Sequence, residues 1–239
     1  MRNVLVTGGS RGVGLAISKR LASDGFRVFA LARVESDALK SAMAVQPTIF
    51  FVPFDLSEVE KIADLARELK AEHGPFYGLV NNAALGTDGL LSNMHNGDIE
   101  KLLRLNTLSP IILTKYVARG MITGDGGRIV NISSIVAENG TSGLSVYAAT
   151  KASLLGFTRS LARDMGKLGV TVNAVAPGFM MTEMTQSMKD EQREKIARRS
   201  ALRRLVDVGD VAHAVSYLMS DGASNVTGTI LTVDAGTTA

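Results

Sequence analysis

The sequence predicts an α/β protein, a doubly wound parallel sheet of about seven strands with helices on both faces. Three observations predict it. Short β-branched runs alternate with longer stretches of helically spaced apolar residues from end to end. A glycine-rich turn follows the first such run and opens the first helical stretch. No Pro/Gly/Ser-rich linker, internal repeat or low-complexity tract divides a chain with only 5 prolines, so residues 1–239 read as a single domain.

Val4–Thr7 is apolar and β-branched and starts the sheet; Val13–Leu21, with apolar residues at helical spacing, follows the glycines. Arg27–Ala32 and Thr48–Val52 are the second and third strands, with a helix over 36–45 between them. A helix over 57–73 leads to the short strand Leu79–Asn81, and one over 98–121 leads to Arg128–Ile132. A helix over 146–167 precedes Val170–Val175, and one over 207–220 precedes Thr229–Val233. Ligands of such sheets sit beyond the carboxyl ends of the strands, where helices begin. Chemistry is therefore expected just after each strand.

The 239 residues carry 26 Lys+Arg against 23 Asp+Glu, a net charge of +3, with 46% apolar and 21% charged residues. That balance fits a globule with a large core and excludes a disordered, collagen-like or disulfide-stapled chain. With no cysteine, thiolate catalysis, iron–sulfur clusters and cysteine zinc sites are excluded, and no metal is expected. No apolar run approaches the roughly 18 residues of a membrane span, and Met1–Thr7 holds one basic residue and no signal-peptide core. A cytoplasmic protein is the expectation. The pI near 9.2 does not point to nucleic acid, because the charges are interspersed and aromatics make up 5%. Arg198-Arg199 with Arg203-Arg204 is the densest basic cluster and reads as a solvated helix face.

The first strand runs into Thr7-Gly8-Gly9-Ser10-Arg11-Gly12-Val13-Gly14. Glycines there let the chain turn sharply and bring bare N–H groups to a pyrophosphate, ahead of the positive end of a helix. The spacing is Gly8-x3-Gly12-x-Gly14, a variant of the dinucleotide fingerprint with a longer first gap. The same residues satisfy G-x-S-x-G, the elbow of α/β-hydrolases, with Ser10 as nucleophile. Of His73, His95 and His213 only His213 follows in a usable order, and it falls inside an apolar-periodic helix. The second strand ends at Ala32-Arg33, with alanine where an NAD site places its carboxylate. Arg33 and Arg11 suit a 2′-phosphate through bidentate geometry, so NADPH is expected. Glu35, two residues on, is the counter-argument.

Arg128–Ile132 ends in Ser133-Ser134, and Tyr147-Ala148-Ala149-Thr150-Lys151 opens the helix that follows. Tyr147 and Lys151 stand at i and i+4, on one helix face with Cβ atoms about 5–6 Å apart. The ammonium is expected to lower the Tyr147 pKa from its usual value near 10. A tyrosine so tuned donates a proton to a carbonyl oxygen that is accepting hydride, and Ser134 donates a hydrogen bond to the same oxygen.

Thr7-Gly8-x3-Gly12-x-Gly14, Asn81-Asn82-Ala83-Ala84, Asn106, Ser134, Tyr147-x3-Lys151 and Pro177-Gly178, in this order and spacing, resemble a short-chain dehydrogenase/reductase with its Rossmann-type fold. The similarity runs to the terminal Val233-Asp234-Ala235-Gly236. It is strongest to the 3-oxoacyl-(acyl carrier protein) reductases, through Asn131-Ile132-Ser133-Ser134 and Pro177-Gly178-Phe179. The resemblance implies that Tyr147 is the acid/base, that Lys151 also binds the nicotinamide ribose, and that Ser134 orients the substrate carbonyl. It implies that Asn106 holds a water linking Lys151 to solvent. Asp55 would contact the adenine, and Thr182 the nicotinamide amide. Asn82, Ala83 and Ala84 would line the cofactor, with Ser10, Val13, Leu56, Pro177 and Gly178. It further implies a homotetramer joined through helices 98–121 and 146–167.

Two departures stand out. Ala84 replaces the family's usual glycine, a change of one methyl. Acyl-carrier reductases carry basic residues beside the active-site entrance, where this chain has Asp125 and, beside Lys167, Leu168. The segment Phe179–Arg199, with Met180, Met181, Met184 and Met188, is expected to be the substrate loop. The expected activity is NADPH-dependent reduction of a 3-oxoacyl thioester on acyl carrier protein or coenzyme A. A reductase or dehydrogenase of a free ketone or secondary alcohol is the alternative. A cofactor-sensing binding protein and a Ser10 hydrolase are more distant ones.

Overall fold

The computed structural model describes residues 1–124, 126–180 and 190–239. Its strands are β1 Asn3–Thr7, β2 Arg27–Ala32, β3 Ile49–Pro53, β4 Gly78–Asn81, β5 Gly127–Ile132, β6 Val170–Pro177 and β7 Ile230–Val233. They form one sheet in the order β3-β2-β1-β4-β5-β6-β7, and each pairing is parallel. The helices are α1 Gly12–Ser23, α2 Asp37–Val45, α3 Ile62–His73, α4 Asn96–Leu103, α5 Ser109–Ile122, α6 Val136–Asn139, α7 Ser145–Met165, α8 Asp190–Ala197 and α9 Val208–Met219. The α/β reading holds. Chain order reverses between β1 and β4, which opens a crevice at their carboxyl ends.

The strands feed two apolar layers by simple alternation. Val4 and Val6 of β1 pack with α1, α2 and α9 through Ile17, Leu21, Leu39 and Val215. Leu5 faces the other way, to Ile62 and Leu65 of α3, Leu113 and Val117 of α5, and Met165 of α7. Strands covered on both faces need apolar residues at nearly every position, and β1, β4 and β5 are buried throughout.

The stretch expected as one helix over 98–121 is broken by a π-helical turn, Arg104–Leu108. Pro110 has no N–H and cannot continue the regular ladder back to Asn106. The Ser109 N–H bonds the Arg104 carbonyl five residues back, and its hydroxyl reaches that carbonyl at 2.9 Å. Such single wide turns often mark functional sites. The short α6 and α8 were not anticipated. Among the described residues, no helix is long and apolar enough to cross a membrane.

Candidate active site

The carboxyl ends of β1 and β4 are tied together by side chains. The Thr7 hydroxyl donates to the Val80 carbonyl (3.2 Å) and accepts from the N–H groups of Asn82 and Ala83, both at 2.9 Å. The Asn82 amide donates back to the Thr7 carbonyl at 2.9 Å. This fixes the glycine turn against Asn82 and Ala83 across the crevice. Gly14 must be glycine, because a Cβ there would lie 2.0 Å from the Gly8 carbonyl oxygen. Gly12 has φ +52° and faces open space. No side chain caps α1, so its first N–H groups look into that space, a cradle that fits a dinucleotide pyrophosphate. Ser10 is buried, and its carbonyl accepts from Ser36, whose hydroxyl also caps α2 by accepting from the Leu39 N–H. Val13 packs against the core beneath.

At the end of β2, Arg33 and Arg11 are exposed. Glu35 points to Lys40, with 4.0 Å between charged atoms. Partial burial raises the Asp55 carboxyl, but hydrogen bonds from Ser57 and the charge of Arg33 outweigh it and hold the pKa below its ordinary value. Arg33 and Asp55 are thus close enough to feel each other beside the glycine turn. Leu56 is buried, and its carbonyl accepts from Ser109 at the π turn.

Three consecutive residues of the β5 end bind α7. The Asn131 amide donates to the Thr158 hydroxyl (2.8 Å), the Ile132 carbonyl accepts from Lys151 Nζ (2.8 Å), and the Ser133 hydroxyl donates to the Lys151 carbonyl (2.9 Å). Lys151 is buried, at 3% exposure. Its Nζ lies 5.7 Å from the centre of the Tyr147 ring. Ser134 follows at the crevice, half-buried, its oxygen accepting weakly from the Val136 N–H at 3.4 Å.

The expected acidification of Tyr147 is corrected here. Burial pushes its pKa up to about 12, and burial brings the Lys151 amine down to about 8. Both groups lose hydration, and the Lys151 proton is aimed at a carbonyl oxygen rather than at the phenol. The i, i+4 spacing places the two side chains together, but desolvation decides the direction of the shift.

Asn106, at 1% exposure, sits in the π turn. Its oxygen accepts from the Leu85 N–H (2.8 Å), and its amide donates to the Leu85 carbonyl (2.8 Å) and the Thr150 hydroxyl (3.2 Å). It clamps the strand-end segment carrying Asn82, Ala83 and Ala84 to the residue before Lys151. Pro177 and Gly178 end β6 next to Ser134: Ile135 N–H donates to the Pro177 carbonyl (3.1 Å) and Gly178 N–H to Val233 (2.8 Å). A Cβ on Gly178 would lie 2.7 Å from Asp234.

Thr182, Met181, Met184, Met188 and Asp125 lie outside the described residues. Met180 is described and bridges to Val206. The Ser10 hydrolase reading finds no base, since His213 is exposed on α9 and no described histidine hydrogen-bonds Ser10. Sequence reasoning quoted Ser133, Thr150, Asn81 and Asn131 within its motifs but gave them no role; the structure buries the pair Asn81 and Asn131, joined at 2.8 Å. The signal was present: Asn at consecutive strand ends in otherwise apolar runs has no reason to be buried without a partner.

A family model described as enoyl-(acyl carrier protein) reductase matches residues 8–238. The chain belongs to the short-chain dehydrogenase/reductase family. It is 38% identical over 232 residues to the 3-oxoacyl-(acyl-carrier-protein) reductase FabG of Escherichia coli, covering 97% of this chain and 95% of that protein. It is 39% identical over 235 residues to the FabG of Pseudomonas aeruginosa, with the same coverage. A solved Serratia marcescens short-chain dehydrogenase/reductase superposes with TM-score 0.92 at 31% identity, over 100% of this chain and 98% of that one. A candidate gluconate dehydrogenase from Agrobacterium tumefaciens gives 0.93 at 25% identity, over 99% and 95%. As a family member, the protein is an oxidoreductase of the alcohol/carbonyl type. The glycine turn and the Ser134, Tyr147, Lys151 group share one edge of the sheet, as that chemistry demands.

Proposed function

We propose that the protein, over residues 1–239, reduces a 3-oxoacyl thioester to the 3-hydroxyacyl form with NADPH. The observation that carries the reading is Lys151: an ammonium buried at 3% exposure, one helical turn from Tyr147 and held by the Ile132 carbonyl. A core lysine costs stability, and this chain buries one beside a phenol at the crevice. When bound, the nicotinamide supplies hydride to the carbonyl carbon. Ser134 hydrogen-bonds the carbonyl oxygen, and Tyr147 gives it the phenolic proton. Lys151 returns a proton to Tyr147, and Asn106 keeps the Leu85 segment and Thr150 in register around it.

The raised Tyr147 pKa, about 12, suits this direction. The phenol stays protonated at neutral pH, loaded for reduction, whereas alcohol oxidation needs the phenolate and should accelerate in alkali. The 2′-phosphate of NADPH would meet Arg33 and Arg11, and Glu35 is drawn off by Lys40. Gly8, Ser10, Gly12, Val13 and Gly14 would hold the pyrophosphate, Asp55 and Leu56 the adenine, and Asn82, Ala83, Ala84, Pro177 and Gly178 the nicotinamide half, with Thr182. A cytoplasmic homotetramer acting on acyl carrier protein or coenzyme A thioesters is part of the proposal. Likeness to the Agrobacterium dehydrogenase favours a second reading, a free hydroxy or oxo compound as substrate. Comparing 3-oxobutanoyl thioesters with free ketones, each with NADPH and NADH, tests both. Turnover of thioesters with NADPH is expected; turnover of free ketones alone would overturn it.

A further inference from the structure

The π turn Arg104–Leu108 is held from both ends by side chains that the reaction itself does not use. We infer that Ser109 and Arg104 are positioning residues: they close this turn and fasten it to the loop after β3, so that Asn106 can grip the catalytic segment. The inference rests on the proposed reduction, in which Tyr147 and Lys151 supply the proton. A wide turn inside a helix is rare, and it persists where something outside the regular ladder supports it.

The support comes from consecutive carbonyls of that loop. Ser109 is fully buried, and its hydroxyl lies between the carbonyls of Leu56 and Arg104. The Ser109 N–H already serves Arg104, so the single hydroxyl proton is free for Leu56. Burying a hydroxyl is costly unless it is bonded, and alanine would pack here without one. At the other end, Arg104 Nε donates to the Ser57 carbonyl at 2.7 Å, a charge-assisted bond. Its Nη2 also pairs with Glu60, whose side chain is 71% exposed, so that pair adds little. Ser57 is itself fixed, its N–H donating to Asp55 Oδ1 at 2.9 Å.

Between these anchors the turn meets α7. Asn106 bonds both backbone groups of Leu85 and the Thr150 hydroxyl, and the Thr107 hydroxyl lies 3.0 Å from that of Ser153. The Ser153 and Thr150 hydroxyls donate in turn to the carbonyls of Thr150 and Tyr147, each at 2.7 Å. The ends of the turn therefore hold the loop that follows β3, and its middle holds the residues around Tyr147 and Lys151. Releasing either anchor lets the turn relax toward a regular helix and withdraws Asn106 from Leu85 and Thr150. A displacement of about 1 Å in such a support can cost a large factor in rate.

The test uses the full-length chain carrying Ser109→Ala or, separately, Arg104→Met, which keeps the aliphatic stem. Reduction of a 3-oxobutanoyl thioester by NADPH is read beside amide hydrogen exchange of the ligand-free protein. In each variant kcat should fall about tenfold, while KM for the thioester stays within twofold. The Leu85 N–H, whose acceptor is Asn106, should exchange about fivefold faster or more, the scale of one lost hydrogen bond. Amides of α9 should exchange as in the parent, which certifies folding. Unchanged kcat or unchanged Leu85 exchange in both variants overturns the positioning role, and so does equal acceleration over α9. An effect in one variant alone strikes the other residue from the role. If the parent reduces neither thioesters nor free ketones, the proposed reaction fails and takes this role with it. An unmoved Leu85 amide in a working enzyme overturns only the present inference.

Discussion

On one side of the sheet, α1 and α9 bury Ile17, Leu21, Val211, Val215 and Leu218 against the strands. On the other, α5 and α7 bury Thr114, Thr150, Lys151 and Thr158 among their apolar residues. The first layer is held by close apolar packing. The second is threaded by a relay in which Asn81 donates to Thr114 (3.0 Å) and Asn131 (2.8 Å), and Asn131 to Thr158 (2.8 Å). Polar groups in a low-dielectric interior define a unique geometry when satisfied and are costly when not. The difference teaches where stability and function lie: the α1/α9 layer holds the fold, and the α5/α7 layer gives up apolar area to aim Lys151 and Tyr147.

Substitutions in the two layers should therefore fail in opposite ways. The largest effect belongs to Tyr147→Phe, which removes the proton donor and should lower kcat by about 10²–10⁴-fold. NADPH affinity, read by fluorescence titration, should stay within twofold. A rate close to the parent's would remove Tyr147 from its role. In the apolar layer, Leu218→Ala, at a position 1% exposed, should cost about 2–5 kcal/mol in urea unfolding. Its kcat at saturating substrate should hold, and a matching loss of kcat would blur the distinction.

Lys151→Met sharpens the comparison further. Burial lowers the Lys151 pKa from 10.5 to about 8, so the folded chain binds the proton less tightly than the unfolded one. Between pH 8 and 10.5 the unfolded state holds more protons, and stability from this residue rises with pH. Below pH 8 the penalty is fully present, at about 3 kcal/mol as an upper figure from that shift. The variant lacks this titration. Its stability relative to the parent should fall by up to about 3 kcal/mol across that window, whatever constant cost the unpaired Ile132 carbonyl adds. Parallel stability–pH curves would show that Lys151 is not buried as described, and activity should be lost at every pH.

Much of this was legible in the chain. Short β-branched apolar strands, the glycine turn and the Tyr147, Lys151 spacing depend on local chemistry, so the parallel α/β class and the expectation of chemistry just beyond the strand ends followed from residue type, whereas the strand order did not. The π turn was not read because the 98–121 pattern is helical in its apolar spacing; Pro110, inside it, was the overlooked signal. The direction of the Tyr147 shift was missed for a different reason. Spacing fixes how near an ammonium lies, but the burial of both groups and the competing Ile132 carbonyl are tertiary facts. The Asn131, Ile132, Ser133 ties to α7 belong to the same class, since each partner lies 18 to 27 residues away.

The smallest expected effect lies outside both layers, at the end of β2. Arg33 is exposed and near Asp55, whose charge it helps to stabilise. With Ala32 at the position of a ribose-binding carboxylate and Glu35 at 4.0 Å from Lys40, the edge offers a phosphate the Arg33 guanidinium, whose charge also acts on Asp55. Arg33→Ala should then weaken NADPH by about tenfold, the scale of a charge-assisted hydrogen bond at about 1.5 kcal/mol. NADH, lacking the phosphate, should bind within twofold of the parent. Adding Glu35→Gln to the parent should leave both affinities nearly unchanged, because Glu35 stands 4.0 Å from Lys40, an opposite charge that draws it aside. If Arg33→Ala lowers both cofactors equally, the residue shapes the strand end rather than reading the phosphate, and selectivity would have to come from Arg11.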